Sequence, residues 1–120
     1  MDKNLSNKCR EFSLKVIKLH KQLTNIKKET VMSEGLLRCG AGAGAELCIT
    51  KYAMGKNDHI TKVYKALQNC AEAKYWLDLL YETDYITEFE YNDTSKTCDE
   101  LIQMIIILIK HLKGGTHAQG

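Results

Sequence analysis

The sequence predicts an all-α protein, an antiparallel up-down-up-down four-helix bundle, and three observations carry that expectation. Proline, which stops helices and punctuates loops, is absent from all 120 residues. An apolar seam with heptad spacing runs from Leu5 to Ile26. The later breaks in helical pattern fall at Gly55, Asn57 and Thr87, residues that start or end helices by capping. A chain of 120 residues, 44% of them hydrophobic, suits one domain with one core. It is too apolar for disorder and too short for separate cofactor and substrate domains. The expected layout is a bundle over residues 1–113 and a flexible C-terminal tail over 114–120.

In the first segment Leu5, Cys9, Phe12, Val16, Leu19, Leu23 and Ile26 are spaced 4, 3, 4, 3, 4, 3, an a/d seam. Lys3, Arg10, Lys21 and Lys28 are spaced 7, 11 and 7, which at about 100° per residue puts them on the opposite pole. The second segment runs from about Val31 to Met54 with Thr30 as N-cap; its apolar positions are Val31, Leu36, Leu37, Leu47, Cys48 and Ile49. The third runs from about Asp58 to Thr83, with Gly55 closing the helix before it and Asn57 capping its start. Its seam is Ile60, Val63, Leu67, Cys70, Leu77 and Leu80, flanked by Tyr64, Tyr75, Trp76 and Tyr81. The fourth opens on a capping box, Thr87-x-x-Glu90, and places the polar stretch Asn92–Ser95 in an exposed turn of the helix. Its seam is Leu101, Ile105, Leu108 and Leu112, with Ile102, Ile106 and Ile109 beside it. That face is too wide for one neighbouring helix.

The five cysteines are odd in number and include no C-x-x-C pair. They point to neither a disulfide framework nor a zinc site but to reduced, buried thiols and a cytoplasmic protein. No apolar run approaches the roughly 20 residues of a membrane span, so no membrane association is expected. The N-terminal residues have no apolar signal core. His20, His59, His111 and His117 share no ligand spacing, and no nucleophile or Glu-x-x-His motif is legible. No cofactor, metal or enzymatic activity is expected.

The net charge of +2 conceals an asymmetry. Residues 1–65 carry 13 basic and 6 acidic side chains; residues 66–120 carry 4 basic and 9 acidic. A basic half attracts phosphate, and an acidic half repels it or pairs with a neighbouring subunit.

Gly40-Ala-Gly-Ala-Gly-Ala45 formally fits the dinucleotide pattern G-x-G-x-x-G/A. That pattern cradles pyrophosphate only between a strand and a helix, and Ser33–Arg38 is helical in character. A silk-like strand would have nothing to pair with. Spacing leaves a loop or a small-residue helical stripe in which Gly40 and Gly44 admit a second helix. On the helical reading Gly40→Leu and Gly44→Leu both disturb packing or assembly.

Leu36-Leu-Arg-Cys-Gly-Ala-Gly-Ala-Gly-Ala45 resembles the Leu-Leu-Arg-Ser-Gly-Thr-Ser-Ile-Gly-Ala-Asn signature of the four helix bundle protein family. These proteins are encoded in intervening sequences of bacterial 23S ribosomal RNA genes. Lys65-Ala-Leu, with Glu72-Ala-Lys-Tyr-Trp-Leu-Asp-Leu-Leu-Tyr-Glu-Thr-Asp-Tyr-Ile86, resembles the family's second signature. The resemblance covers roughly residues 7–113. Arg38, Gly40, Gly44 and Ala45 match, whereas Cys39, Ala41-Gly42, Ala43 and Glu46 replace Ser, Thr-Ser, Ile and Asn and remove hydroxyls. The accessory proteins of diversity-generating retroelements are similar to this family.

The resemblance implies a helical bundle assembled as a homopentameric ring. In the retroelement branch the ring binds RNA or DNA through a basic surface and docks a reverse transcriptase, without enzymatic activity. On this chain the phosphate contacts would come from Arg10, Lys15, Lys18, Lys21 and Lys28 of the first helix, with Arg38, Lys62 and Lys65 beside them. The alternative is a purely structural or protein-interaction ring with no direct nucleic-acid role. With the resemblance in place, the glycine cluster reads as the middle of the second helix.

Overall fold

In the computed structural model, which describes residues 2–117, four helices form a bundle of 53 × 23 × 21 Å. Helix α1 spans Lys3–Asn25, α2 Val31–Cys48, α3 Lys56–Glu82 and α4 Glu88–His117. A short 3-10 turn, Ile49–Tyr52, links α2 to α3. No strand occurs among the described residues.

Contacts between helices fix their register. Lys8 meets Glu100 and Lys15 meets Asp93, so partner numbers on α4 fall as those on α1 rise. Val16 faces Gly40 while Ser13 and Cys9 face Gly44. Trp76 packs on Gly35 and Asn69 on Gly42. Cys98 lies against the Cys70 carbonyl, and Tyr91 donates to Asp78.

The core follows the heptad seams, with informative exceptions. On α1, Leu5, Cys9, Phe12, Val16, Leu19 and Leu23 are buried as expected, but Ile26 is 72% exposed because the helix ends at Asn25. On α3 the buried row is Val63, Ala66, Cys70, Ala73, Leu77 and Leu80: Ala66 takes the place expected for Leu67, Ala73 fills the gap between Cys70 and Leu77, and Ile60 and Leu67 are half-buried. On α4, Leu101, Ile105 and Ile109 are buried, and Leu108 and Leu112 are half-buried. The stretch expected in an exposed turn is exposed only in part: Asn92 faces outward, but Thr94 and Ser95 are buried, as is Thr97 just beyond it. Thr97 meets Lys15 and Glu11 of α1, so polar partners rather than water satisfy it.

The caps also correct the reading. Thr30 stands at the N-cap of α2 but makes no side-chain cap. The buried Glu29 carboxylate accepts instead from the Met32 and Ser33 amides at 3.0 and 2.8 Å. Negative charge on those first-turn N–H groups is stabilised by the helix dipole. Gly55 is the N-cap of α3, with φ of 100°, and does not close α2, which stops at Cys48. Asn57 lies inside the first turn, where Asp58 accepts from the Met54 amide at 2.8 Å. The capping box holds: Glu90 Oε1 accepts from the Thr87 amide and Thr87 Oγ1 from the Glu90 amide. Helix α4 continues as far as His117, so Gly114–His117 of the expected tail is helical backbone, and residues 118–120 lie outside the described residues.

The glycine cluster lies inside α2. A Cβ on Gly40 would stand 2.8 Å from Val16 Cγ2, closer than side chains pack, whereas one on Gly44 would meet Ser13 Oγ at an ordinary 3.4 Å. Close approach of α1 and α2 therefore depends on Gly40. The equal standing expected for Gly44 is not borne out.

Candidate nucleic-acid interface

Burying the a/d seam of α1 turns the opposite side outward, and its cations follow. Lys3, Arg10 and Lys21 are exposed in one row, about 27 Å from end to end at 1.5 Å per residue. None of the three has an ion-pair partner among the described residues. Lys28 extends the basic patch from a different place. It sits in the turn after α1 with φ of 58°, the left-handed region that a lysine rarely adopts, not on the helical pole. Lys27 lies beside it, also exposed.

Lys15 is held elsewhere. Its ammonium donates to Asp93 Oδ1 and Thr97 Oγ1 of α4, both at 2.9 Å, and pairs with Glu11 at 3.4 Å. Burial works against its charge, yet these carboxylates outweigh burial and raise its pKa. Spacing explains the difference: six residues before Lys21, Lys15 is rotated about 120° from it, onto the edge facing α4. Lys18 is exposed and borders a small cleft with Phe89, Glu90 and Asp93. Lys62 pairs with Asp58 one turn earlier at 2.7 Å, and Lys65 is exposed on α3. Arg38 donates to Glu72 Oε2 at 2.7 Å.

Much of the charge asymmetry between the two halves is thus spent inside the bundle. Lys8–Glu100 and Lys15–Asp93 join α1 to α4, and Arg38–Glu72 joins α2 to α3. The positive charge left over concentrates on the outward side of α1 and the turn after it.

A second cluster lies between α2 and α3. Glu72 Oε2 accepts from Arg38 and from the Trp76 indole N–H at 3.1 Å. The Cys39 thiol, the Arg38 guanidinium and the Trp76 N–H hold this carboxyl down at about 2, against an ordinary 4.5. A depressed pKa gives a contribution that is present above the ordinary carboxylate range and lost only as pH falls toward 2. Emission from Trp76, the chain's single tryptophan, should therefore stay constant on acidification to about pH 4 and change below about pH 3. A transition centred near 4.5 would separate Glu72 from these partners.

All five cysteines are free thiols; Cys48 is exposed, and burial pushes Cys9 and Cys39 up to about 11. Among the described residues no group of His, Cys, Asp or Glu could hold a metal ion, and no helix is long and apolar enough to cross a membrane.

A family model described as 23S rRNA-intervening sequence protein matches residues 1–107. The chain belongs to the 23S rRNA-intervening sequence protein family. A solved structure from Bacteroides thetaiotaomicron, described as a protein of unknown function from the S23 ribosomal protein family, is similar to it. The two share 36% sequence identity with a TM-score of 0.86, over 88% of this chain and 98% of that one. No curated protein matches the chain. The two segments that carried the resemblance face each other in this family member: Arg38 of the first meets Glu72 of the second. Trp76 of the second lies on Gly35, one residue before the first. A Cβ on Gly35 would stand 2.6 Å from Trp76 Cε2, so the indole needs glycine there. That pairing became visible only in three dimensions, because its members are 34 and 41 residues apart.

Proposed function

We propose that this member of the 23S rRNA-intervening sequence protein family is a non-enzymatic, oligomeric accessory protein. It binds RNA or DNA phosphates through the outward side of α1. The row Lys3, Arg10 and Lys21, free of internal carboxylates, carries the reading. Such a row suits backbone contacts, which are salt-dependent and indifferent to sequence. Lys18, Lys28 and Lys65 add to the field; Lys15, Arg38 and Lys62, held by carboxylates, act first as structural cations.

The opposed running of partner numbers along each helix pair supports the antiparallel up-down-up-down arrangement. Assembly as a pentameric ring, with a reverse transcriptase as a docked partner, rests on the family resemblance. A homopentamer would repeat the α1 row five times and turn a modest charge into a substantial field.

A second reading, a structural ring without nucleic acid, is favoured by Leu14, which is 55% exposed within the same α1 row, and by Ile107, 65% exposed on α4. Charge reversal separates the two. Lys21→Glu with Lys28→Glu should abolish binding to a labelled RNA while light scattering shows the native particle mass. Loss of the oligomer with RNA binding retained would instead assign the row to subunit contact.

A further inference from the structure

The geometry points to Trp76 as a stacking platform for an unpaired base, so that single strands gain a contact that duplexes lack. This inference rests on the phosphate-binding reading of α1 and adds the strand type.

Trp76 lies in an open groove of about 630 Å³ that also takes in His20 of α1 and Glu34, Gly35, Leu37 and Arg38 of α2. Only glycine at position 35 lets the indole lie against α2, and Glu72 fixes its N–H at 3.1 Å. The ring is thereby locked in orientation yet left half-exposed to the groove. Tyr75, 57% exposed, stands edge-on to it at 5.5 Å between ring centroids.

The groove adjoins the basic row. His20 precedes Lys21 in α1, and Val31 at the groove's other border follows the turn that carries Lys27 and Lys28. A strand whose phosphates follow α1 and that turn would therefore pass the open side of Trp76. Proteins that bind single strands pair a basic track with aromatic faces in this way, because every base offers a π-face. Glu34 in the groove repels phosphate but accepts from base amino groups, so the groove suits bases and the α1 row suits backbone. Duplex RNA keeps its bases stacked inside and offers the indole nothing.

Because Trp76 is the only tryptophan, its emission reports on the groove alone. The whole chain is titrated at about 50 mM salt with a fluorescein-labelled single-stranded RNA and a duplex of equal length. Label anisotropy reads binding and Trp76 emission reads stacking. Single strands should bind and quench Trp76, and duplexes should bind without quenching. Trp76→Leu, which keeps an apolar side chain on Gly35, should weaken single-strand binding about 10-fold and leave duplex binding unchanged. Trp76→Phe should restore most of the loss. Single-strand binding without quenching, or a Trp76→Leu chain of native affinity and native circular dichroism, would overturn the stacking role and leave the α1 row standing. Failure of both nucleic acids to bind would remove the row and the platform together.

Discussion

Gly40→Leu is expected to cost about 3 kcal/mol or more and to lower the melting temperature by about 10 °C or more. The reason is local. Val16 is fully buried, and its two methyl carbons lie 2.8 and 2.9 Å from the place a Cβ on Gly40 would take. A leucine there must push α1 off α2 or force Val16 out of its rotamer, and a close-packed core absorbs neither cheaply. Gly40→Ala should cost less, about 1–3 kcal/mol, through the same contact. Gly44→Ala should instead leave stability unchanged or raise it by about 0.5–1 kcal/mol. Its methyl would find ordinary contacts at 3.4 and 3.8 Å, while alanine is the better helix former. Urea and thermal unfolding of the three variants measure this. Equal losses from Gly40→Ala and Gly44→Ala would contradict the approach of α1 to α2 at Gly40.

Neutralising Lys3, Arg10 and Lys21 together as glutamines should weaken RNA binding by about 100-fold at low salt, and should flatten the salt dependence. For a single strand, each phosphate contact contributes about 0.7 to the slope of log affinity against log salt, so three lost contacts remove about two units. The fold should survive, because these side chains point away from the core and hold no carboxylate. Lys15→Gln and Lys62→Gln serve as the comparison. Each breaks an ion pair of small worth, about 0–1 kcal/mol at the surface, and should change affinity far less than the triple substitution. Parity between the two sets would show that total charge, rather than the α1 row, governs binding.

Which parts of this fold the sequence discloses depends on how local their causes are. The capping box at Thr87 is legible because both partners sit within four residues. The α1 seam is legible because its heptad spacing is carried mostly by large apolar side chains. Ala66 and Ala73 in α3 are not legible because an alanine carries little apolar signal: Leu67 outranks Ala66, and Ala73 sits between the charged Glu72 and Lys74. The burial of Thr94, Ser95 and Thr97 ran against their polarity, and Lys15, 82 residues from Thr97, supplies one of the partners. Glu29 outcompeted Thr30 as a cap because its longer side chain reaches back to two amides at once.

The candidate interface divides along the same line. Arg10 and Lys21 were placeable from helical angle alone. The engagement of Lys15 and Arg38 was not, since each is claimed by a carboxylate 78 or 34 residues away. Lys28 lost its place on the pole when α1 ended three residues earlier, a boundary that Ile26 had obscured by continuing the apolar spacing. Gly35 gave no signal at all, because only the Trp76 ring explains it.

The most direct measurement is the affinity of the native chain for a single-stranded RNA across a salt series from about 50 to about 200 mM. A phosphate-binding row on α1 predicts binding at the low end and a log–log slope of about −2 or steeper. No binding at about 50 mM, or an affinity indifferent to salt, would contradict it.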